Sequence, residues 1–142
     1  MAKSDKRGRS SSGGRFVALH LFLIQTPAWA FLSAQDRSVY LSVAMLYDGR
    51  NNGFLGRSVR QAAELANVNK DTASRSLTKL VNVGFLECVT PGGFSRKTRH
   101  AAEWRLTQYR CDKTNEPGSK AFMKWRPVTE KPDTQIQTTV PN

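Results

Sequence analysis

The run from Ser58 to Thr107, SVRQAAELANVNKDTASRSLTKLVNVGFLECVTPGGFSRKTRHAAEWRLT, constrains the fold more than any other part of the chain. Ser58 is suited to cap a helix whose apolar members are Val59, Ala62, Ala63 and Leu65. Asn67-Val68-Asn69 supplies turn chemistry, with Val68 turned inward. Asn69 caps a second helix that runs to about Val83 and stops at Gly84, burying Ala73, Leu77, Leu80 and Val81. Phe85–Thr90 and Trp104–Thr107 then read as paired strands. The connection between them, Pro91–His100, is too long for a tight hairpin loop and carries the basic tip Arg96-Lys97-Thr98-Arg99-His100. Small inward residues let the two helices cross closely, so the pattern predicts a mainly α fold with a small β-hairpin, an α+β class.

Upstream, Thr26 and Pro27 form a helix start, with Thr26 as cap and Pro27 in the first helical position. Ser33-Ala34-Gln35-Asp36 resembles a capping box with Asp in place of Glu, and Val39, Tyr40, Val43, Leu46 and Tyr47 recur at helical spacing behind it. Phe16, Val17 and Leu19 suggest a short strand or an extended entry, Leu21–Ile24 a helical turn, and Phe54-Leu55 a very short strand. The ends are polar. Residues 1–14 are rich in Lys, Arg, Ser and Gly and read as a disordered basic arm. Residues 15–109 form the folded domain. Residues 110–142 read as a mostly disordered tail in which the apolar cluster at 120–126 is a docking segment.

Charge narrows the partners. The 142 residues carry 22 Lys and Arg against 11 Asp and Glu, a formal net charge of +11 that favours a polyanion. The apolar run Phe16–Ile24 is too short to span a membrane and lacks a signal-peptide cleavage pattern, so a cytoplasmic, nucleoid-associated protein is expected. Enzymes need a constellation that is missing here. His20 and His100 are the only histidines, no phosphate-binding loop follows Gly92-Gly93, and the acidic residues are scattered. Cys88 and Cys111 have no metal-ligand spacing, and Cys88 reads as a core residue. No catalytic residue, metal or cofactor is expected.

The polar residues at the start of the second helix are Lys70, Asp71, Thr72, Ser74, Arg75 and Thr78, with Lys79 one position on. The text Asn69-Lys70-Asp71-Thr72-Ala73-Ser74-Arg75-Ser76-Leu77 followed by Leu80-Val81-Asn82-Val83-Gly84-Phe85-Leu86 resembles the winged helix-turn-helix superfamily over roughly Ser33–Thr107. The further stretches Phe16-Val17-Ala18-Leu19, Pro27-Ala28-Trp29, Arg50-Asn51-Asn52-Gly53, Phe94–Ala101 and Glu103–Thr107 are similar to small uncharacterised winged-helix proteins of proteobacterial chromosomes, plasmids and integrative elements. That resemblance implies a bacterial, mobile-element setting.

It also implies that helix 70–83 enters the major groove of double-stranded DNA while the basic wing 91–103 lies on the minor groove or backbone. Arg75 is the expected base reader, because guanidinium pairs bidentately with guanine. Lys70 and Lys79 suit phosphate, Ser58, Thr72, Ser74 and Thr78 can donate to the backbone, and Asp71 favours the positive helix end. Ser95, Arg96, Lys97, Thr98, Arg99 and His100 complete the expected contacts as the wing tip. A transcriptional regulator is the leading expectation. The alternatives are a replication or plasmid-maintenance DNA-binding protein and a winged-helix protein-interaction module working through Phe122, Met123 and Trp125. Palindromic reading would need a homodimer. No aromatic interleaves with the basic positions of the second helix, which counts against single-stranded or RNA ligands.

Overall fold

The computed structural model describes residues 14–94 and 99–128. The arm expected over 1–14 lies outside them except for Gly14, and so does the tail from residue 129. Among the described residues the fold is α+β, with five α-helices and a small three-stranded antiparallel sheet. No helix among them is long and apolar enough to cross a membrane.

Local capping chemistry sets the element boundaries. α1 (Leu21–Ile24) and α2 (Pro27–Phe31) meet at Thr26, whose hydroxyl donates to the Leu23 carbonyl at 2.8 Å and accepts from the Trp29 amide at 3.1 Å. α3 (Ala34–Ala44) opens with the full capping box: Asp36 N donates to Ser33 Oγ at 3.1 Å, and Ser33 N donates to Asp36 Oδ2 at 2.8 Å. α4 (Val59–Ala66) repeats the device with Ser58 and Gln61. Asn67 ends it in the left-handed region at φ 58°, which asparagine tolerates. α5 (Lys70–Val83) closes at Gly84, φ 104°, where Gly84 N bonds the Val81 carbonyl and Phe85 N the Leu80 carbonyl, the paired closure of a Schellman motif.

α3 packs across both α4 and α5, and alanines 62, 63 and 73 let α4 and α5 approach each other. The sheet order is β1 (Leu55–Gly56), β5 (Glu103–Leu106), β2 (Leu86–Thr90), all antiparallel, with Leu55 and Cys88 both opposite Trp104 and Leu86 opposite Leu106. β3 (Gly93–Phe94) and β4 (Arg99–His100) form a separate two-residue ladder that starts the long connection. Asn52, fully buried, fastens the loop before β1 to β5. Its side-chain oxygen accepts from Leu106 N at 2.7 Å, and its amide donates to the carbonyls of Leu106 and Arg110, each at 2.9 Å.

Several sequence expectations need correction. Val81 is exposed rather than buried, and the apolar Leu65 is exposed too, because the core faces of α5 and α4 are centred on Ala73–Leu77–Leu80–Val83 and Ala62–Ala63, with Ala66 partly covered. Cys88 is exposed: it faces α5 across an open groove lined by Ser74, Thr78 and Trp104. Phe16, Val17 and Leu19 make no strand, and β1 begins at Leu55 rather than Phe54.

Beyond residue 109 the segment expected to dock at 120–126 does so, and the folded core extends further than the expected domain end. Cys111 and Phe122 are both 0% exposed, and Phe122 stacks on Phe85 with ring centroids 4.9 Å apart. The buried Arg105 reaches into the same segment, pairing with Glu116 at 2.8 Å. The core therefore continues past Tyr109, through a 3₁₀ turn at Ala121–Met123, and Phe122 is a core side chain with no surface to offer a partner. Gly84 is obligatory beneath that turn, since a Cβ there would lie 2.6 Å from Phe122 N. Phe122→Ala should cost about 3–5 kcal/mol of unfolding free energy, the range for emptying a buried aromatic site. Chemical denaturation read by far-UV circular dichroism checks this, and a loss below about 1 kcal/mol would place the segment outside the cooperative core.

Candidate nucleic-acid interface

The outward side of α5 is a ridge built by helical spacing. Asn69 Oδ1 accepts from Thr72 N at 2.8 Å, which fixes the first turn. Lys70, Asp71, Ser74, Arg75, Thr78 and Asn82 are all exposed along the helix, with 70, 74, 78 and 82 four residues apart. Thr72 sits at the flank, half-buried, and its hydroxyl lies 3.4 Å from Arg75 Nη2. Arg75 has no carboxylate partner among the described residues. The structure thus brings Lys70, Asp71, Ser74, Arg75 and Thr78 onto one solvent-facing side.

Lys79 does not belong with them. Its ammonium is 2.7 Å from Asp36 Oδ2 and lies 4.6 Å from the centre of the Phe31 ring. Its charge is matched within the fold although the side chain stays partly exposed, and this pairing competes with its expected role as a phosphate contact. Asp36 also accepts from Ser76 Oγ at 2.7 Å, so one carboxylate on α3 holds two side chains on the inner side of α5. Burial pushes the Asp36 pKa up, but the hydrogen bonds from Lys79, the Ser33 amide and Ser76 outweigh it and hold the group below its ordinary 3.8. Ser58 is likewise committed, its oxygen accepting from Gln61 N at 3.1 Å as the cap of α4.

Of the expected wing tip, Ser95, Arg96, Lys97 and Thr98 lie outside the described residues. Arg99 enters only through its backbone, paired with Phe94. His100 is exposed, and its imidazole lies over Gly93, where a Cβ would stand 2.5 Å from Nε2. At the base of the connection Glu103 is neutralised rather than bare. Lys113 donates to it at 2.6 Å, and this hydrogen bond holds its carboxyl below the usual range.

Two features escaped the sequence reading. Arg60, exposed on α4, shares a groove of about 620 Å³ with Lys70, Asn67 and Glu64. The spacing of 60, 64 and 67 on one helical face was the available signal. Aromatics also border the ridge: Phe31 and Trp125 form a groove with Arg75, Thr78 and Lys79, although neither is near α5 in sequence. Among the described residues no three His, Cys, Asp or Glu side chains gather as a metal site. No protein-family model matches the chain, and no curated protein or solved structure shows significant similarity to it.

Asp36→Asn should lower stability by about 1–3 kcal/mol at pH 7, since it strips the charge from three hydrogen bonds. The folded-state pKa is depressed, so the wild-type contribution is complete above the ordinary carboxylate value and is lost as the pH falls through the folded-state value. Denaturation midpoints of the two proteins should accordingly converge in acid. A constant gap down to pH 2 would contradict the charged network.

Proposed function

We propose that this chain is a winged helix-turn-helix protein that binds double-stranded DNA sequence-specifically and acts as a transcriptional regulator. The observation that carries the reading is the α5 ridge. A helix held rigidly from its inner side presents Lys70, Ser74, Arg75 and Thr78 outward from a two-helix corner. An exposed guanidinium without a carboxylate partner, on the N-terminal half of such a helix, suits bidentate recognition of guanine in the major groove. Lys70 and Arg60 at the helix corner suit the flanking phosphates.

The second support is the position of the β3–β4 ladder. It leads from the sheet into the connection that contains Arg96 and Lys97, as a wing would. Neutralisation of Glu103 by Lys113 removes an acidic group that would oppose a polyanion there. A net charge of +11 adds long-range attraction that weakens with salt.

Selection of bound fragments from random and genomic duplexes tests the reading, followed by competition against non-cognate DNA. An enriched sequence should emerge, and binding with no preference among duplexes would overturn the specific-recognition proposal. Arg75→Ala should cost about 1–3 kcal/mol against the selected site and relax its preference at one base pair. Lys70→Ala, and separately Lys97→Ala, should weaken all duplexes alike and reduce the slope of log affinity against log salt by about 0.9 each. Lys79→Ala should leave that slope unchanged, because its charge is already paired.

A further inference from the structure

Beside the α5 ridge lies a groove of about 430 Å³ whose far wall is aromatic. Phe31, half-exposed, and Trp125 stand 4.7 Å apart between ring centroids, with planes tilted by 37°. The near wall is α5, contributing Arg75, Thr78, Lys79 and Asn82. We propose that this groove takes an unpaired nucleotide, so that the protein binds a duplex next to a single-stranded or opened segment more tightly than a closed duplex. The proposal rests on the duplex-binding reading above.

The chemistry of the walls selects this occupant. Phe31 is already packed against Trp125 and the Lys79 ammonium, so the aromatic surface offered to a ligand is chiefly that of Trp125. Such a surface gains most from a flat partner that has lost its own stacking, and an unpaired base is one, whereas the faces of bases within a duplex are already covered. Thr78 and Asn82 make no side-chain hydrogen bond among the described residues. Asn82 offers both a donor and an acceptor, which suits the edge of a base. No carboxylate lines the groove, and Arg75 sits at its rim beside the proposed duplex contacts. Lys124 and Arg126 flank Trp125 in sequence, and both are exposed. The complementarity is therefore to a chain that is flat and apolar in its bases and anionic in its backbone. The volume lies within the roughly 300–1,000 Å³ of small-ligand sites, enough for one nucleotide rather than a helix or strand of protein.

The lever arm is fixed by the core. Trp125 follows the 3₁₀ turn anchored by the buried Phe122, and Lys79 is pinned by Asp36 under the Phe31 ring. The groove is thus preformed, and its aromatic wall does not need to be ordered on binding.

Fluorescence anisotropy on the full chain tests this with three probes: a blunt duplex, the same duplex with a short single-stranded overhang of either polarity, and that overhang made of abasic nucleotides. The wild type should bind at least one overhang duplex about 5- to 100-fold more tightly than the blunt one, as stacking of a base by an aromatic side chain allows. The abasic overhang, which keeps the phosphates, should lose the gain. Trp125→Ala should also lose it while blunt-duplex affinity stays the same, and Trp125→Phe should retain part of it. Thermal melting confirms that each variant is folded, and if Trp125→Ala is not, the abasic probe and Trp125→Phe decide. No gain with an overhang, a gain that survives abasic substitution, or a Trp125-dependent self-association in place of the gain would overturn the proposal. Loss of blunt-duplex binding by the wild type would instead count against the reading on which it rests.

Discussion

The carboxylate of Asp36 is the point on which the geometry of α5 depends. One oxygen accepts from Ser76, and the other from Lys79 and from the backbone of Ser33. These contacts join the start of α3 to the middle of α5 across forty residues of sequence. A buried carboxylate is costly unless its lone pairs are filled and its charge is matched, and here both conditions are met. Apolar packing between α3 and α5 is non-directional and would tolerate small rotations. The ion pair and the hydroxyl bond do not, because each has a short distance to satisfy. Rotation of α5 about its own axis is thereby restricted, and with it the direction in which Arg75 points.

The same helix is closed at its far end by contacts of a different kind. Gly84 turns the chain in a conformation that other residues resist, and it leaves room for the backbone of Phe122 to lie directly on the turn. Phe85 is then enclosed by Tyr40, Trp29 and Phe122, all within ring-contact distance. The C-terminal segment is therefore a structural lid over the end of α5. Asn52 does comparable work at the sheet, where one amide side chain replaces the backbone pairing that the short β1 cannot provide.

Features set by neighbours in sequence were legible from the text. The caps at Thr26, Ser33, Ser58 and Asn69 and the stop at Gly84 rest on hydrogen bonds spanning a few residues, and the structure places them as read. Features set by distant partners were not. Lys79 looks like any other cation on a polar helix until Asp36 is brought to it. Phe122 is an intermediate case: the apolar cluster around it marked a docking segment, but nothing nearby in sequence shows that its ring stacks on Phe85 in the core. Cys88 alternates correctly for a buried strand position, yet it faces a groove that the helices leave open. Val81 and Leu65 mark the limit of periodicity, because a helix of this length fits more than one apolar stripe until its packing partners choose among them. The basic tip Arg96–His100 was the clearest charge signal in the text, and its first three residues lie outside the described residues.

Lys79 also shows how one helix can serve two surfaces. Its neighbours at 76, 77 and 80 belong to the core, and those at 74, 75 and 78 belong to the ridge. A cation at that border can turn either way, and the outcome depends on which anion it meets first. An anion from solvent is available only when a ligand is bound, whereas Asp36 is present at all times and is shielded from water. The internal pair therefore wins in the free protein, at a local concentration that no ligand matches. Breaking it on binding would leave a buried carboxylate unmatched, so any ligand must be served by the residues that the fold has left uncommitted. On α5 those are Lys70, Ser74, Arg75, Thr78 and Asn82. That division makes the ridge a surface whose charges can be spent on a partner without loss to the core.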